Sequence, residues 1–227
     1  MTYRCNGIMD LQQFQNQRND SQRRCSPAKR SSAALCQVNL SGRDFSYSDL
    51  PRADLIWADI SGATFAGANL SESVAIWAQG LWADFQSANL CRADFSCANL
   101  QAANFTLANL TSATFTGANL AEVSAVKACF ENANLWGIWA LEADLSEACL
   151  CHSNLSGANL SGAQLVKADM SSANLQGVNL QDANLQSANL QDANLSRACL
   201  KNATLTAANL TDADLREADL SGTVLSE

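Results

Sequence analysis

The residues that could do chemistry together are three cysteines and the only histidine of the chain. Cys149, Cys151 and His152 are neighbours in the sequence, and Cys129 comes twenty residues earlier than the first of them. Thiolates and imidazole nitrogens are common ligands of Zn²⁺, so these four residues are a candidate metal set. No CxxC spacing accompanies them, and cysteine is also a tolerated small residue. The pattern therefore favours a chain without a metal or another cofactor.

The same residues are the candidates for catalysis. Cys151 next to His152 supplies a nucleophile and a base, but adjacency in the sequence does not give the geometry that a base requires. No Gly-rich phosphate loop is present, and no Ser/His/Asp set can be built around His152. Acidic residues occur at turn positions, where bonding to the backbone explains them; examples are Asp144, Asp169, Asp214 and Asp219. The sequence predicts a protein that is not an enzyme.

A strict five-residue period extends through most of the chain. Of the 39 positions counted in steps of five from Leu35 to Leu225, 35 are Leu, Phe, Ile or Met. We call these positions the centres. Ala usually stands two residues before a centre, and Asp or Asn one residue before it. A period of five fits neither an α-helix nor an ordinary strand, so it indicates a repeat architecture.

One five-residue unit cannot bury the apolar side chain at its centre, whereas a coil of four units can. Four five-residue sides give a square coil of twenty residues whose centres point inward, and stacked coils pair their backbones at about 4.8 Å. Phe recurs at spacing twenty from Phe45 to Phe105, and Ile-Trp-Ala occurs at 56–58 and again at 76–78. We expect about nine to ten coils. Asn, Asp, Ser and Thr before the centre and Gly two residues after it suit a turn at each corner.

The consensus A(D/N)LXX, carried by residues 33–225, resembles the pentapeptide repeat proteins. This resemblance implies an all-β fold, a right-handed quadrilateral parallel β-helix, and it supplies the handedness that spacing alone does not. Some members of the family bind topoisomerases and protect against gyrase poisons, and others, abundant in cyanobacteria, act in regulation. The expected domains are a basic N-terminal segment or cap over 1–32 and the β-helix over 33–227.

Charge separates the two parts of the chain. The first 32 residues hold six basic and two acidic residues, whereas the remainder holds 8 basic and 20 acidic ones. An acidic body repels phosphates, so we expect no direct nucleic-acid binding and a protein partner with a basic surface. The chain has neither a run of 18 apolar residues nor a secretory signal, which favours a cytoplasmic protein with no membrane contact. The N-terminal composition also resembles a transit peptide, although Asp10 and Asp20 are atypical of one.

The nine cysteines are odd in number and irregularly spaced, which favours reduced thiols over a disulfide framework. They are Cys5, Cys25, Cys36, Cys91, Cys97, Cys129, Cys149, Cys151 and Cys199.

Two kinds of fault interrupt the repeat. Small centres at Ala125 and Ala140 follow a large Val123 and Ile138 two residues earlier, and such swaps keep the interior volume nearly constant. Residues 71–82 show no such swap, because Ala75 and Gly80 leave the interior underfilled. We expect either a slip, in which Ile76 and Leu81 become the inward centres, or a locally bulged wall.

Positions modulo twenty place all five tryptophans within about a third of the circumference, around one corner. With their apolar neighbours they predict an outer apolar patch that binds a protein partner. Its members are Ile56, Trp57, Ile76, Trp77, Leu81, Trp82, Trp136 and Trp139. The alternative is that residues 1–32 cover this patch with a short helix bearing Ile8, Leu11 and Phe14.

Two functions fit the sequence. One is a non-enzymatic interaction scaffold or regulator whose rigid faces bind a protein partner. The other is an acidic DNA mimic that binds DNA gyrase or another type II topoisomerase. The negative charge of the body has the same sign as that of DNA and therefore favours this function. Relatives of the second kind resemble one another in a C-terminal dimerisation module, and no such module follows the last centre here. The exposed last coil fits end-to-end pairing into a homo-oligomer or fraying.

Overall fold

The computed structural model describes residues 33–225, in which every five-residue unit repeats one conformation. Two turn residues follow each centre, and the next three residues form a short extended segment whose middle residue makes isolated parallel bridges. These bridge residues recur every five positions from Ala34 to Val224. The described part contains no helix and therefore none that could cross a membrane. The expected N-terminal cap lies outside the described residues.

Each bridge joins residues twenty apart, which confirms the coil length predicted from the period. Ala34 pairs with Asp54, Asp54 with Val74, and this column of bridges continues to Asp214. On one wall the N–H of Leu55 donates to the carbonyl of Val74 (2.7 Å), and the N–H of Asp54 donates to the carbonyl of Ala33 (2.9 Å). The chain is thus a quadrilateral parallel β-helix, and its described length is consistent with nine to ten coils.

The interior is filled by the centres together with the residues two positions before them. Both classes are almost fully buried in the middle coils, as at Ala63 and Phe65. Phenylalanines twenty apart stack with ring centroids 5.2 Å apart for Phe65 and Phe85, and 5.0 Å apart for Phe85 and Phe105. Phe95 meets Phe85 edge to face at 5.7 Å. Such pairs typically contribute about 0.5–1.5 kcal/mol beyond their buried area.

A β-turn closes each corner and requires an unusual backbone conformation. The N–H of Ala58 donates to the carbonyl of Leu55 (2.9 Å), as in the other turns. The second turn residue has a positive φ in every unit from Gln37 to Gly222. The glycines expected at this position adopt it, but so do many residues with a Cβ, such as Leu107 at 61°. Each of these costs roughly 1 kcal/mol or more, which the core and the ladder must offset.

The prediction of a slip or bulge at residues 71–82 is wrong. Ala75 and Gly80 both point inward and are buried, Ile76 and Leu81 stay on the turns, and the bridges continue in frame. A Cβ at Gly80 would lie 2.8 Å from Leu100 Cδ2 and 3.2 Å from Ile60 Cγ1. The side chains of the neighbouring coils therefore occupy the space that the missing centre leaves, so the coil keeps its register.

The two large-for-small swaps are confirmed. Val123 and Ile138 are buried together with Ala125 and Ala140. A small residual cavity lies beside them, lined among others by Phe105. At the C-terminal end of the described coils, Leu220 and Leu225 are 37% and 62% exposed. Pairing of copies through this end stays a prediction.

Restoring a large centre at Gly80 should destabilise the protein, although the repeat pattern alone would predict the opposite. We expect Gly80→Leu to lower the free energy of unfolding by about 1–3 kcal/mol, because Ile60 and Leu100 already fill the site. Chemical denaturation measures this change. Met170→Leu, a volume-conserving change at an ordinary buried centre, is the control. A more stable Gly80→Leu protein would contradict the proposed filling.

The turn conformation predicts a second, local effect. Gly177 has a φ of 64° and open space around its missing Cβ, so Gly177→Ala changes only backbone strain. We expect a loss of about 1 kcal/mol or more in the free energy of unfolding. The adjacent exposed Gln176→Ala should change it by no more than about 0.5 kcal/mol. Equal effects of the two substitutions would show that the turn does not select glycine.

Candidate functional site

The Trp surface, defined as the eight apolar residues predicted to bind a partner, covers two adjacent corners and the wall between them. Ile56, Trp57, Ile76, Trp77 and Trp136 lie on the first corner. Leu81 and Trp82 lie on the next corner, and Trp139 is a bridge residue on the wall between.

The Trp surface is divided along the axis into two groups. The lower group is Ile56, Trp57, Ile76, Trp77, Leu81 and Trp82, and the upper group is Trp136 and Trp139. Trp139 stands in one column with Gln79, Asn99 and Asn119, each a coil apart. The amide of Asn119 donates to Asn99 Oδ1 (2.9 Å), so polar side chains cover the wall between the groups. The two groups lie about three coils apart along the axis, which corresponds to roughly 14 Å. The expectation of one patch around one corner is therefore wrong. The position of a residue modulo twenty specifies its direction around the helix axis, but it does not specify how far along the axis the residue lies.

In the lower group, Trp77 is buried against its neighbours in the column. The rings of Trp57 and Trp77 stack with centroids 5.3 Å apart and planes 6° apart. Trp77 is 7% exposed, and Cys97, the next residue of its column, is 2% exposed, although most residues at this turn position are exposed or half-buried. Trp57 and Trp77 are therefore less available to a partner than the other tryptophans. Coverage by residues 1–32 falls outside the described part of the chain and stays a prediction.

The tryptophans that face solvent are Trp82, Trp136 and Trp139, which are 68%, 46% and 42% exposed. The second corner carries acidic side chains in the column of Trp82, at Glu122 and Glu142. Glu142 follows Trp139 by only three residues. The upper group thus combines two exposed indoles with carboxylates on the adjacent corner.

The expectation of reduced thiols is wrong for two cysteines. Cys36 and Cys97 are disulfide-bonded. They lie three coils apart, roughly 14 Å, which is beyond the reach of a bond between the two. The cysteines that are free in the described chain are Cys91, Cys129, Cys149, Cys151 and Cys199.

The structure assembles a different donor set from the candidate metal set of the sequence. The ligand atoms of Cys149, Cys151 and Asp169 all lie within 4.8 Å of one another, and all three residues are half-buried. The two sulfurs are 3.0 Å apart. Cys129 pairs with Cys149 across adjacent coils, but neither it nor His152 belongs to this cluster.

Sequence reasoning placed Asp169 at a turn and missed it as a donor. It lies twenty residues after Cys149, and this spacing brings the two side chains together on one wall. The same rule that paired Cys129 with Cys149 would have found it. Burial, followed by the hydrogen bond and charge of Cys149 and the charges of Asp169 and Glu131, raises the pKa of the Cys151 thiol to about 12. The Cys151 thiol is therefore protonated at neutral pH, and it lies beside the Asp169 carboxylate.

The repeat and its coil of twenty match a known family. The profile described as Pentapeptide repeats matches eight copies, over residues 39–74, 82–111, 98–137, 142–177, 168–206 and 188–227. The chain belongs to the pentapeptide repeat family. Its β-helix is therefore right-handed, as the resemblance implied. No curated protein sequence matches the chain.

Solved structures of other pentapeptide repeat proteins are similar to this one. HetL, from the cyanobacterium Nostoc sp. Strain PCC 7120, is involved in heterocyst differentiation regulation; it is 28% identical over 96% of this chain and 98% of its own, with a TM-score of 0.42. A trypsin-treated form of QnrB1, a plasmid-mediated fluoroquinolone resistance protein, is 23% identical over 83% of this chain and 86% of its own, with a TM-score of 0.53. The second likeness concerns the fold alone.

Alkylation tests the assignment of the disulfides. In denatured protein kept without reductant, we expect Cys36 and Cys97 to resist iodoacetamide and the five free cysteines to react. Peptide mass spectrometry reads both, and reduction before alkylation is the control that exposes every thiol. The masses of the linked peptides identify the bonding partners. Alkylation of Cys36 or Cys97 without reductant would contradict the assignment.

Proposed function

We propose that this pentapeptide repeat protein is a non-enzymatic interaction scaffold that binds a protein partner through Trp136 and Trp139. The observation that carries the proposal is the exposure of these two indoles, 46% and 42%, on a corner and the adjoining wall of the rigid β-helix. Trp is enriched among residues that dominate binding energies, and a rigid scaffold loses little conformational entropy when its partner binds.

The surroundings of the two indoles favour a basic partner. Glu122 and Glu142 lie on the adjacent corner at a similar height, and Gln101 Nε2 donates to Glu122 Oε1 (3.0 Å). The whole chain carries a formal charge of −8. Elsewhere on the surface, some exposed acids form ion pairs along a column, as Glu72 does with Arg52 and Arg92. A partner with apolar side chains beside Lys or Arg would complement the upper group.

The alternative is an acidic mimic of DNA that binds gyrase or another type II topoisomerase. The negative charge of the body supports it in sign. A mimic would use charge spread over the long faces, whereas a scaffold of the proposed kind depends on two tryptophans. The two functions are therefore separable by mutation.

Substitution of the exposed tryptophans tests the scaffold. We expect Trp136→Ala combined with Trp139→Ala to weaken partner binding at least about tenfold, because hot-spot tryptophans contribute about 2 kcal/mol or more. Quantitative pull-down with the tagged full chain, followed by titration of the retained partner, measures it. Raising the salt concentration should also weaken binding if the partner is basic.

The matched control is Tyr47→Ala, an aromatic residue that is 85% exposed on another corner and should retain the partner. Retention of every captured protein by the double tryptophan variant would contradict the proposal. A gyrase supercoiling assay covers the alternative. Inhibition that the double variant preserves would favour the DNA mimic instead.

A further inference from the structure

An amide ladder on one wall of the β-helix is interrupted by two cysteines. The ladder runs along a single column, with Nδ2 to Oδ1 distances of 2.7 Å from Asn69 to Asp49 and 3.1 Å from Asn89 to Asn69. It continues to Asn109, whose Nδ2 donates to Asn89 Oδ1 at 3.5 Å, and resumes where Asn189 donates to Asp169 at 2.9 Å. Cys129 and Cys149 occupy the two positions between Asn109 and Asp169. A thiol is only a weak donor and acceptor, so it cannot continue such a ladder.

We propose that Cys149, Cys151 and Asp169 form a binding site for a soft divalent metal ion of the Zn²⁺ type. The bridge between Cys149 and Asp169 stacks them on adjacent coils, and Cys151 reaches the same point from the following turn. Their ligand atoms lie within 4.8 Å of one another. Cysteine sulfurs and a carboxylate oxygen are both ligand types that Zn²⁺ takes, and three protein ligands leave a fourth position open to water.

The geometry requires only a small adjustment. Tetrahedral bonds of about 2.3 Å to sulfur imply sulfurs roughly 3.8 Å apart, whereas they now lie 3.0 Å apart. Rotation about the Cα–Cβ bond of Cys149 or Cys151 is the movement that would separate the two sulfurs by this amount. Asp169 is already oriented, because its Oδ1 accepts from the N–H of Ser171 (3.1 Å) and from Asn189. Such outer contacts hold a metal ligand in place.

The charges around the site also favour a cation. The Asp169 carboxylate belongs to the site, and Glu131 occupies the same turn position as Cys151 one coil earlier. A bound divalent ion stabilises both thiolates and neutralises part of this carboxylate charge. Binding converts two thiols and one aqueous ion into a dithiolate complex and releases two protons. Affinity should therefore rise with pH.

Another wall of the same chain offers a matched control. Cys199 also occupies the bridge position and has Asp219 twenty residues after it, paired as Cys149 is with Asp169. The residue that corresponds to Cys151 is Lys201. This second location has one thiol, one carboxylate and a cation, so it should not bind the metal. Comparison of the two locations isolates the contribution of Cys151.

Cobalt substitution tests the site directly. With reduced full-length protein, Co²⁺ should produce a near-ultraviolet sulfur-to-cobalt charge-transfer absorption that added Zn²⁺ removes. Cys149→Ser and Cys151→Ser should each abolish the tight site, since Ser already occupies both repeat positions elsewhere, as at Ser124 and Ser171. Asp169→Asn should lower the Zn²⁺ affinity at least about tenfold. Cys199→Ser should leave the absorption unchanged.

The outcomes that would overturn the site are equally specific. An absence of charge-transfer absorption in the wild-type protein would overturn it, as would an absorption that survives both Cys149→Ser and Cys151→Ser. Loss of the absorption in Cys199→Ser alone would place the metal elsewhere. Far-ultraviolet circular dichroism of each variant verifies that the β-helix is intact. The result does not depend on partner binding, so it stands or fails separately from the proposed function.

Discussion

The hydrogen bonds between residues twenty apart are the constraint on which the rest of the structure depends. A five-residue side buries nothing alone, and each side becomes stable only because its N–H and carbonyl groups bond to the coils before and after it. The ladder requires the same number of residues in every coil. A slip of one residue would break these bonds for a whole side and turn a centre outward.

This constraint explains how the chain treats its irregular units. At Gly80 the register is preserved, because the ends of the Ile60 and Leu100 side chains fill the space that a large centre would occupy. At Ala125 and Ala140 this space is filled by larger residues two positions earlier. It also explains why residues such as Leu107 accept a positive φ, since every corner must turn in the same way. Side chains adapt in this fold, and the backbone does not.

Function is therefore expected on the outer walls, where the constraint leaves the residue type free. Positions before the centre point outward and usually carry Asn or Asp, many of which bond along the column. Where other residues stand there, as at Trp139, Cys149 and Cys199, the ladder is broken and a different chemistry becomes available. Trp139 and Cys149 are both departures of this kind. They lie on different walls and can act independently.

The sequence alone was sufficient for the period, the coil of twenty, the inward centres and the swaps at Val123 and Ile138. These follow from spacing and volume, which are properties of the chain itself. Only the tertiary structure decided that Gly80 stays in frame, that Trp57 and Trp77 are less available than Trp136 and Trp139, and that Asp169 rather than His152 joins the thiols. These outcomes depend on rotamers and on contacts between coils. Spacing along the chain specifies which residues are neighbours, but not how their side chains share the space between them.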